Sequence, residues 1–181
     1  MKKVILTIFA LATISLTANA QKQTSSKTHI KFFSTTAVEN IESNNYKSVS
    51  VLDTKSGDVV FSVPMQSFEF EKALMQEHFN SKKFLNTKEN PKAKLVAKIT
   101  NLDKVNFDKE GSYIANVEGD LTINGVTNAI NEKATIIVKG GNVNLQTKFN
   151  LTLADYKVAF TKGKPSTNIA KIVEVTVEAN Y

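Results

Sequence analysis

The residues that could support catalysis are few and fall in different parts of the sequence. The only two histidines are His29 and His78, which lie in separate predicted elements. A metal site would need at least a third ligand, and no carboxylate spacing supplies one. The chain has no cysteine, which excludes thiol nucleophiles, thiolate metal sites and disulfides. No Gly-x-Ser-x-Gly segment marks a serine nucleophile. These observations predict a protein that is not an enzyme, with no catalytic residues, no metal and no cofactor.

Other candidates for chemistry have structural interpretations. Glu69 and Glu71 are close carboxylates, but they straddle Phe70 and are expected to point outward from a strand end. No helical pattern follows Gly140-Gly141, as it would in a phosphate-binding loop. Asn124-Gly125 is typical of a tight turn that joins two strands.

The positive charge of the chain does not favour a nucleic-acid partner. Lysine and arginine together number 23 against 17 acidic residues, which gives a net charge of +6. All 23 are lysines, and a lysine offers a point charge where arginine offers the planar fork that recognises phosphate and guanine. The lysines are scattered along the chain, as expected for solvated strand faces.

The first twenty residues have the three parts of a secretory signal peptide. Lys2-Lys3 is followed by an apolar run from Val4 to Leu16, which is too short to span a membrane. The run ends at Ala18-Asn19-Ala20, a small-x-small cleavage pattern. We therefore expect cleavage after Ala20 and a periplasmic or secreted protein. A polar leader at 21–27 and one folded domain at 28–181 would follow.

Most of the remaining sequence alternates between apolar and polar residues. This period of two, with one apolar face, predicts antiparallel strands around an apolar interior. Turn signals at 54–57, 124–125 and 139–142 separate the runs, and counting them gives about eight strands. The shared faces include Val59, Phe61 and Val63; Leu95, Ala97 and Ile99; Val117, Gly119, Leu121 and Ile123; Ala134, Ile136 and Val138; Val143, Leu145, Phe149 and Leu151; and Val173, Val175 and Val177.

One segment breaks this alternation. Residues from about 71 to 79 have helical spacing, with Leu74 and His78 on one face and Phe79 beside them. A loop with Phe84 and Leu85 follows. We expect the helix and loop to cover one end of a barrel. His78 is predicted to be a partly buried packing residue, and contact with a ligand headgroup is the alternative.

Three stretches resemble the YceI-like family of exported polyisoprenoid-binding proteins. Met75 to Leu85 is similar to the family's Met-x-x-His-Leu-x-Ser-x-x-Phe-Phe segment, and Pro91 follows it shortly before a strand. Gly119 to Thr127 is close to the family's Gly-x-Leu-Thr-Ile-x-Gly-Val-Thr. The closing strand, Val173 to Tyr181, has the family's acidic and apolar alternation. The resemblance runs from about Val59 to the end, and residues 40–51 match no motif of the family.

The resemblance implies a single lipocalin-like barrel of eight antiparallel strands with one short inserted helix. It also implies an elongated apolar channel for an isoprenoid, quinone or fatty-acid-like chain, which the protein would transport, store or shield during stress. A barrel of this size can hold one such ligand if its side chains do not fill it. The residues expected to line the site are Phe61, Val63, Phe68, Phe70, Leu74, Phe79, Phe84, Leu95, Ile99, Leu121, Ile123, Ile136, Leu145, Phe149 and Val175, with His78 near a headgroup.

Three alternatives stay open at this stage. The inward residues could fill a dry core, as they do in most small barrels. An integral outer-membrane barrel would share the signal peptide and the strand count. An enzyme acting on an isoprenoid lipid would depend on Glu77 and His78, which as adjacent helix residues point about 100° apart. Partners other than the lipid are restricted to transient contact with a membrane surface and self-association, with a dimer as one state.

Overall fold

The computed structural model describes residues 22–36, 39–158 and 169–181, and the predicted signal peptide lies outside these ranges. Eleven strands and one helix account for most of the described residues. Short 3₁₀ turns lie at Met65–Ser67, Leu102–Lys104 and Leu153–Tyr156. The elements in chain order are β1 (Lys22–Ser25), β2 (Lys27–Thr35), β3 (Asn40–Asn45), β4 (Val49–Asp53), β5 (Asp58–Pro64), β6 (Glu69–Phe70), α1 (Ala73–Asn80), β7 (Lys92–Ile99), β8 (Gly111–Ile123), β9 (Val126–Lys139), β10 (Asn142–Thr152) and β11 (Ile172–Asn180).

All strand pairs in the described sheet are antiparallel, and the sheet is barrel-like. Its order is β1-β4-β5-β7-β8-β9-β10-β11-β2-β3-β6. The strand β2 pairs with β11 along one edge and with β3 along the other. Its neighbour β1 pairs with β4, at the other side of the same sheet. An all-β fold with one short helix is therefore confirmed.

The predicted count of eight strands is wrong, because bends divide three of the expected strands. Only Ser26 separates β1 from β2. Ser25 pairs with Ser50 and Ile30 pairs with Asn45, so the register continues across both this break and the break between β3 and β4. The 3₁₀ turn at Met65–Ser67 separates β5 from β6 in the same way. Inward and outward positions alternate on either side of such bends, so the sequence pattern does not reveal them.

The stretch predicted as a polar leader belongs to the sheet. Residues 22–25 form β1, whose ladder with β4 runs from the Lys22–Asp53 pair to the Ser25–Ser50 pair. Ser25 is buried. The run is polar and rich in Thr and Ser, yet its backbone pairs with the edge of β4.

Buried polar side chains support the bend between β3 and β4. Asn45 is fully buried, and its amide donates a hydrogen bond to the carbonyl oxygen of Pro64 at 2.9 Å. The oxygen of the same side chain accepts hydrogen bonds from the backbone of Lys47 at 2.9 Å and from the hydroxyl of Ser48 at 3.0 Å. Thr28 donates to the carbonyl oxygen of Ser48 at 2.7 Å. Since backbone groups at a bend lose their ladder partners, these side chains replace them.

The two ends of the sheet differ in how they are filled. At the helix end, α1 and the Asn124-Gly125 turn lie close to the strand ends. The opposite end, which contains the turns at 54–57 and 139–142, holds a tightly packed core. Leu52, Ile99 and Ile136 are at most 1% exposed there. Tyr181 is hydrogen-bonded to the hydroxyl of Ser50 at this end, and burial raises the pKa of Tyr181 to about 12.

The Asn124-Gly125 turn joins β8 to β9 as predicted. Both residues have positive φ, 51° and 72°, as a two-residue hairpin turn of the mirror-image type requires. The Asn124 side chain also accepts a hydrogen bond from Asn90 at 3.0 Å and donates to the carbonyl oxygens of Tyr156 and Lys157 at 3.3 Å. This side chain therefore ties two loops of the helix end to the sheet.

The helix predicted for about 71–79 is observed as α1, over Ala73–Asn80. It begins after Lys72 and ends before Ser81, whose N–H and hydroxyl both donate to the carbonyl oxygen of His78. Among the residues that the structure describes, no helix has the length and apolar character needed to span a bilayer.

Gly119 allows β7 and β8 to approach closely. It lies opposite Ala97, and a Cβ at this position would come within 2.3 Å of the Val96 carbonyl oxygen and 2.4 Å of the Ala97 Cα. Both neighbours are backbone atoms that cannot rotate away. The glycine of the predicted motif is therefore a steric requirement of the curved sheet.

We expect Gly119→Ala to lower the free energy of unfolding by about 1–3 kcal/mol or more, because the strands must separate to admit the methyl group. Gly111→Ala, at the start of the same strand, is the matched control. Its Cβ would meet only the end of the Tyr113 side chain, whose hydroxyl oxygen would lie 3.1 Å away. Urea denaturation of both variants checks the prediction, and equal midpoints would contradict it.

Candidate functional site

The helix-end half of the barrel-like sheet encloses an apolar cavity of about 710 Å³. Side chains from both flanks of the sheet, from α1 and from the loop after it form its wall. Nearly all of the lining is aliphatic or phenylalanine, and the polar exceptions are Ser34, Glu39, Lys72, His78, Glu132 and Thr147. The volume falls within the range of about 300–1,000 Å³ that is typical of small-molecule sites. The dry-core alternative therefore does not describe this half of the molecule.

Most of the residues predicted to bind a lipid lie around this cavity, and their binding role stays a prediction. Those that contribute to the lining are Phe61, Val63, Phe68, Phe70, Leu74, Phe79, Phe84, Leu95, Leu121, Ile123, Leu145, Phe149 and Val175, together with His78. Ile99 and Ile136 do not line it. They point inward as expected, but they lie toward the opposite end, where the core is packed solid.

Five phenylalanines form a cluster beside the cavity, called here the phenylalanine cluster: Phe32, Phe68, Phe70, Phe79 and Phe84. The ring of Phe79 contacts the other four, with centroids 5.0–6.1 Å apart. It reaches them from α1, whereas Phe32 comes from β2 and Phe70 from β6. Stacked, tilted and edge-to-face aromatic pairs at these separations contribute about 0.5–1.5 kcal/mol beyond area burial. The cluster therefore fixes α1 against the sheet and forms one wall of the cavity.

The side of α1 that packs inward differs from the predicted one. Phe79 is buried and Met75 is half-buried, whereas Leu74 is 61% exposed. His78 is exposed, so its prediction as a partly buried packing residue is wrong. The helix is turned so that Leu74 and His78 lie on the rim of the cavity rather than beneath it.

An ion pair joins two segments at this rim. The ammonium group of Lys72, just before α1, donates to the carboxylate of Glu39, just before β3, at 2.5 Å. This hydrogen bond raises the pKa of Lys72 above its usual value. Both side chains line the cavity and are partly exposed, so the pair contributes polar groups to the opening more than it contributes stability.

Sequence reasoning missed several residues of the lining. Ile41 lies within residues 40–51, which match no motif of the family, Phe32 lies before the region of resemblance, and Met65 lies in a 3₁₀ turn. The alternation of Ile30 with Phe32 was a signal that could have identified Phe32. Glu132 was missed because a carboxylate is not expected on an apolar inward face.

The remaining histidine lies away from the cavity. His29 stacks on Tyr46 with ring centroids 4.5 Å apart, and its Nε2 is 2.7 Å from the side-chain oxygen of Asn44. Within the described ranges, no three His, Asp or Glu side chains come together in an arrangement that could hold a metal ion. The chemistry that this site supports is burial of apolar surface, with few polar groups in the lining.

Comparisons with known proteins agree with this fold. A family model described as the YceI-like domain matches residues 12–181. BcnA of Burkholderia cenocepacia has a similar structure, with a TM-score of 0.71 and 17% identity over 86% of this chain and 97% of that chain. A polyisoprenoid binding domain from Saccharophagus degradans, implicated in plant cell wall breakdown, has a TM-score of 0.74 and 11% identity over 89% and 97%. The YceI protein of Campylobacter jejuni has a TM-score of 0.63 and 19% identity over 82% and 88%. No protein of curated function matches the sequence significantly.

We expect Phe79→Ala to lower the free energy of unfolding by about 3 kcal/mol, because it removes the ring that contacts the rest of the phenylalanine cluster. Leu74→Ala is the matched control on the same helix. Its side chain is 61% exposed, so the change should stay within about 0.5 kcal/mol. Thermal and urea denaturation of the two variants check this, and an equal loss in both would contradict the role given to Phe79.

Proposed function

Because this chain belongs to the YceI-like domain family, we propose that it binds one elongated apolar lipid inside the barrel-like sheet. The observation that carries the proposal is the cavity of about 710 Å³ with its apolar wall. A buried apolar space of this size costs stability when it is empty, since its lining lacks contacts. A lipid chain in the cavity would supply those contacts, and the chain itself would be transferred out of water.

The volume sets the scale of the ligand. At the roughly 30 Å³ that a water molecule occupies in the liquid, about 710 Å³ has room for on the order of twenty heavy atoms. This corresponds to an isoprenoid of about four units or a long fatty chain. Each buried methylene contributes about 0.8 kcal/mol, so a chain of this length can bind tightly with few polar contacts.

An isoprenoid or the tail of a quinone fits best among the candidate chains. The Saccharophagus degradans domain with the same fold is described as polyisoprenoid binding. The branch methyl groups of an isoprenoid would also pack well against a wall that combines phenylalanine rings with Val and Leu side chains. Protein interiors are closely packed, so a ligand of complementary shape makes more contacts. Transport, storage and protection of the lipid during stress would all use this same site.

Binding without turnover is the proposed activity. The titratable side chains that line the cavity are Glu39, Lys72, His78 and Glu132. Lys72 and Glu39 are paired with each other, and His78 lies on the exposed rim. General acid–base catalysis needs groups within hydrogen-bond reach of one reacting atom. Glu132 lies on β9, whereas the other three lie at the rim beside α1.

Ligand content tests the proposal directly. The purified protein should release an isoprenoid or another long-chain lipid on organic extraction, and native mass spectrometry should show the matching added mass.

Val175→Trp should lower the affinity for geranylgeraniol. Val175 points into the cavity, and the indole would displace about three methylene groups, worth ~2.4 kcal/mol or roughly fiftyfold.

Thr176→Trp is the matched control, since Thr176 neighbours Val175 on β11 and points to the other face of the sheet. Its affinity should equal that of the unmodified protein. A protein that carries no lipid and takes up neither geranylgeraniol nor a quinone would overturn the proposed function.

We also propose that the protein is exported and folds outside the cytoplasm, with residues 1–20 removed. The alternative of an integral outer-membrane barrel requires an apolar outer surface. In the described sheet, β7 instead presents lysines on its outer face, namely Lys92, Lys94 and Lys98. Osmotic shock without detergent should release the folded protein, and its mass should begin at Gln21. Retention in the membrane fraction until detergent is added would favour the alternative.

A further inference from the structure

The wall of the cavity is interrupted between β9 and β10. Their ladder runs from the Asn142–Lys139 pair to the Thr147–Ala134 pair and stops there. Both strands continue beyond that point. The rest of β9 pairs only with β8, and the rest of β10 pairs only with β11. Residues 129–133 and 148–152 therefore face each other without a hydrogen-bonded ladder between them.

The interruption has defined limits. At one limit, the hydroxyl of Thr147 donates to the carbonyl oxygen of Lys133 at 2.7 Å. At the other, the side-chain amide of Asn128 donates to the carbonyl oxygen of Asp155 at 2.8 Å. Along β9, Asn128 and Lys133 are five residues apart, which at about 3.3 Å per residue corresponds to roughly 16 Å. We call this interruption the β9–β10 window.

The window connects the cavity with the outer surface. A groove of about 200 Å³ lies over it on the outside, with exposed side chains such as Asn131 and Asn150 on its rim. Its floor and the cavity wall share the same four side chains, Ile130, Glu132, Phe149 and Leu151. All four are only half-buried, although their strand positions point inward.

The window is a polar opening in an apolar wall. Backbone groups that have lost their ladder must be hydrogen-bonded by water or by a ligand, because leaving them dry is costly. Glu132 adds a carboxylate at this place, and it has no hydrogen-bond or ion-pair partner among the described residues. Asp155 and the asparagine side chains complete the lining of the groove.

The charge around the window is asymmetric. The lining includes two carboxylates and no lysine. Lys148 is paired with Glu174 at 2.8 Å, and Lys133, Lys157 and Lys171 are exposed. An anionic headgroup would therefore meet carboxylates, whereas a hydroxyl or ammonium group would find acceptors.

We propose that the β9–β10 window is a lateral portal for the lipid, and that Glu132 accepts a hydrogen bond from a hydroxyl or ammonium headgroup seated there. This inference rests on the proposed function. It gives the ligand a donor-bearing polar end and places that end at the side of the sheet. The apolar chain then extends from the window toward the phenylalanine cluster.

A cross-link across the window tests the route. The chain has no native cysteine, so Asn131→Cys with Asn150→Cys creates a unique pair in the middle of the window. Oxidation should link the two cysteines by a disulfide. If their sulfur atoms are too far apart for that bond, a short bismaleimide can cross-link them instead. Release of bound geranylgeraniol should slow by about tenfold or more and, for the disulfide, recover on reduction.

The matched control ties the same two strands where they are already paired. Thr135 and Gln146 are ladder partners, so Thr135→Cys with Gln146→Cys should leave the release rate unchanged. Equal release rates from tied and untied window variants would overturn the portal. Because the protein would still hold the lipid, that outcome differs from the absence of binding that would overturn the proposed function.

Headgroup selectivity tests the role of Glu132. With the same C20 chain, the unmodified protein should bind the amine and the alcohol at least about tenfold more tightly than the carboxylic acid. Glu132→Gln should remove most of the preference for the amine over the acid while keeping the affinity for the alcohol within about twofold. An unchanged order of the three affinities in Glu132→Gln would contradict the assignment.

Discussion

The need to hydrogen-bond backbone groups that lose a strand partner governs this structure. Where the sheet bends around the cavity, such N–H and C=O groups need another strand, a side chain or water. The first hairpin meets this need by changing partners along its length. Its first strand pairs with β4 and then, after the bend at Ser26, with β3 and β11. Asn45 supplies side-chain hydrogen bonds where the second strand bends.

Side-chain size decides which part of the interior is filled. At the opposite end, Leu52, Ile99 and Ile136 pack to near-zero exposure. At the helix end, the interior is bordered by rigid phenylalanine rings that brace each other across α1, β2 and β6. Rings that contact each other cannot also collapse into the space beside them. The cavity therefore follows from the same cluster that holds the helix in place.

Much of the fold could be predicted from the sequence, because period-two alternation and turn chemistry are local signals. Val59, Phe61 and Val63 face inward, and Asn124-Gly125 forms its hairpin turn, as the pattern indicated. The alternation of apolar and polar residues fails in β3, in β4 and in the bend between them, where Ser43, Asn45, Ser48 and Ser50 are polar and yet at most 1% exposed. Their burial depends on partners distant in sequence, which no local pattern contains.

Within the candidate site, the residues on the inward face of a strand were predictable from the sequence. The rotation of α1 and the interruption between β9 and β10 were not. The rotation of α1 depends on tertiary contacts of Phe79, so Leu74 and His78 were placed too deep. The interruption between β9 and β10 is not visible in the sequence of either strand, because the apolar and polar residues of a strand can alternate whether or not its neighbour is hydrogen-bonded to it. Ile99 and Ile136 show the same limit, because alternation gives the direction of a side chain but not its depth.

The pairing of β2 with β11 has a consequence for how the chain reaches its final state. Residues 27–33 cannot complete their ladders until residues 174–180 are available, so the contact joins segments almost 150 positions apart. Contacts of such long sequence separation make folding slow, since loop-closure entropy must be overcome before they form. Until then, the edges of β2 and β10 are open to pairing with other chains. Aggregation during synthesis or refolding is thus the main kinetic hazard that this topology creates.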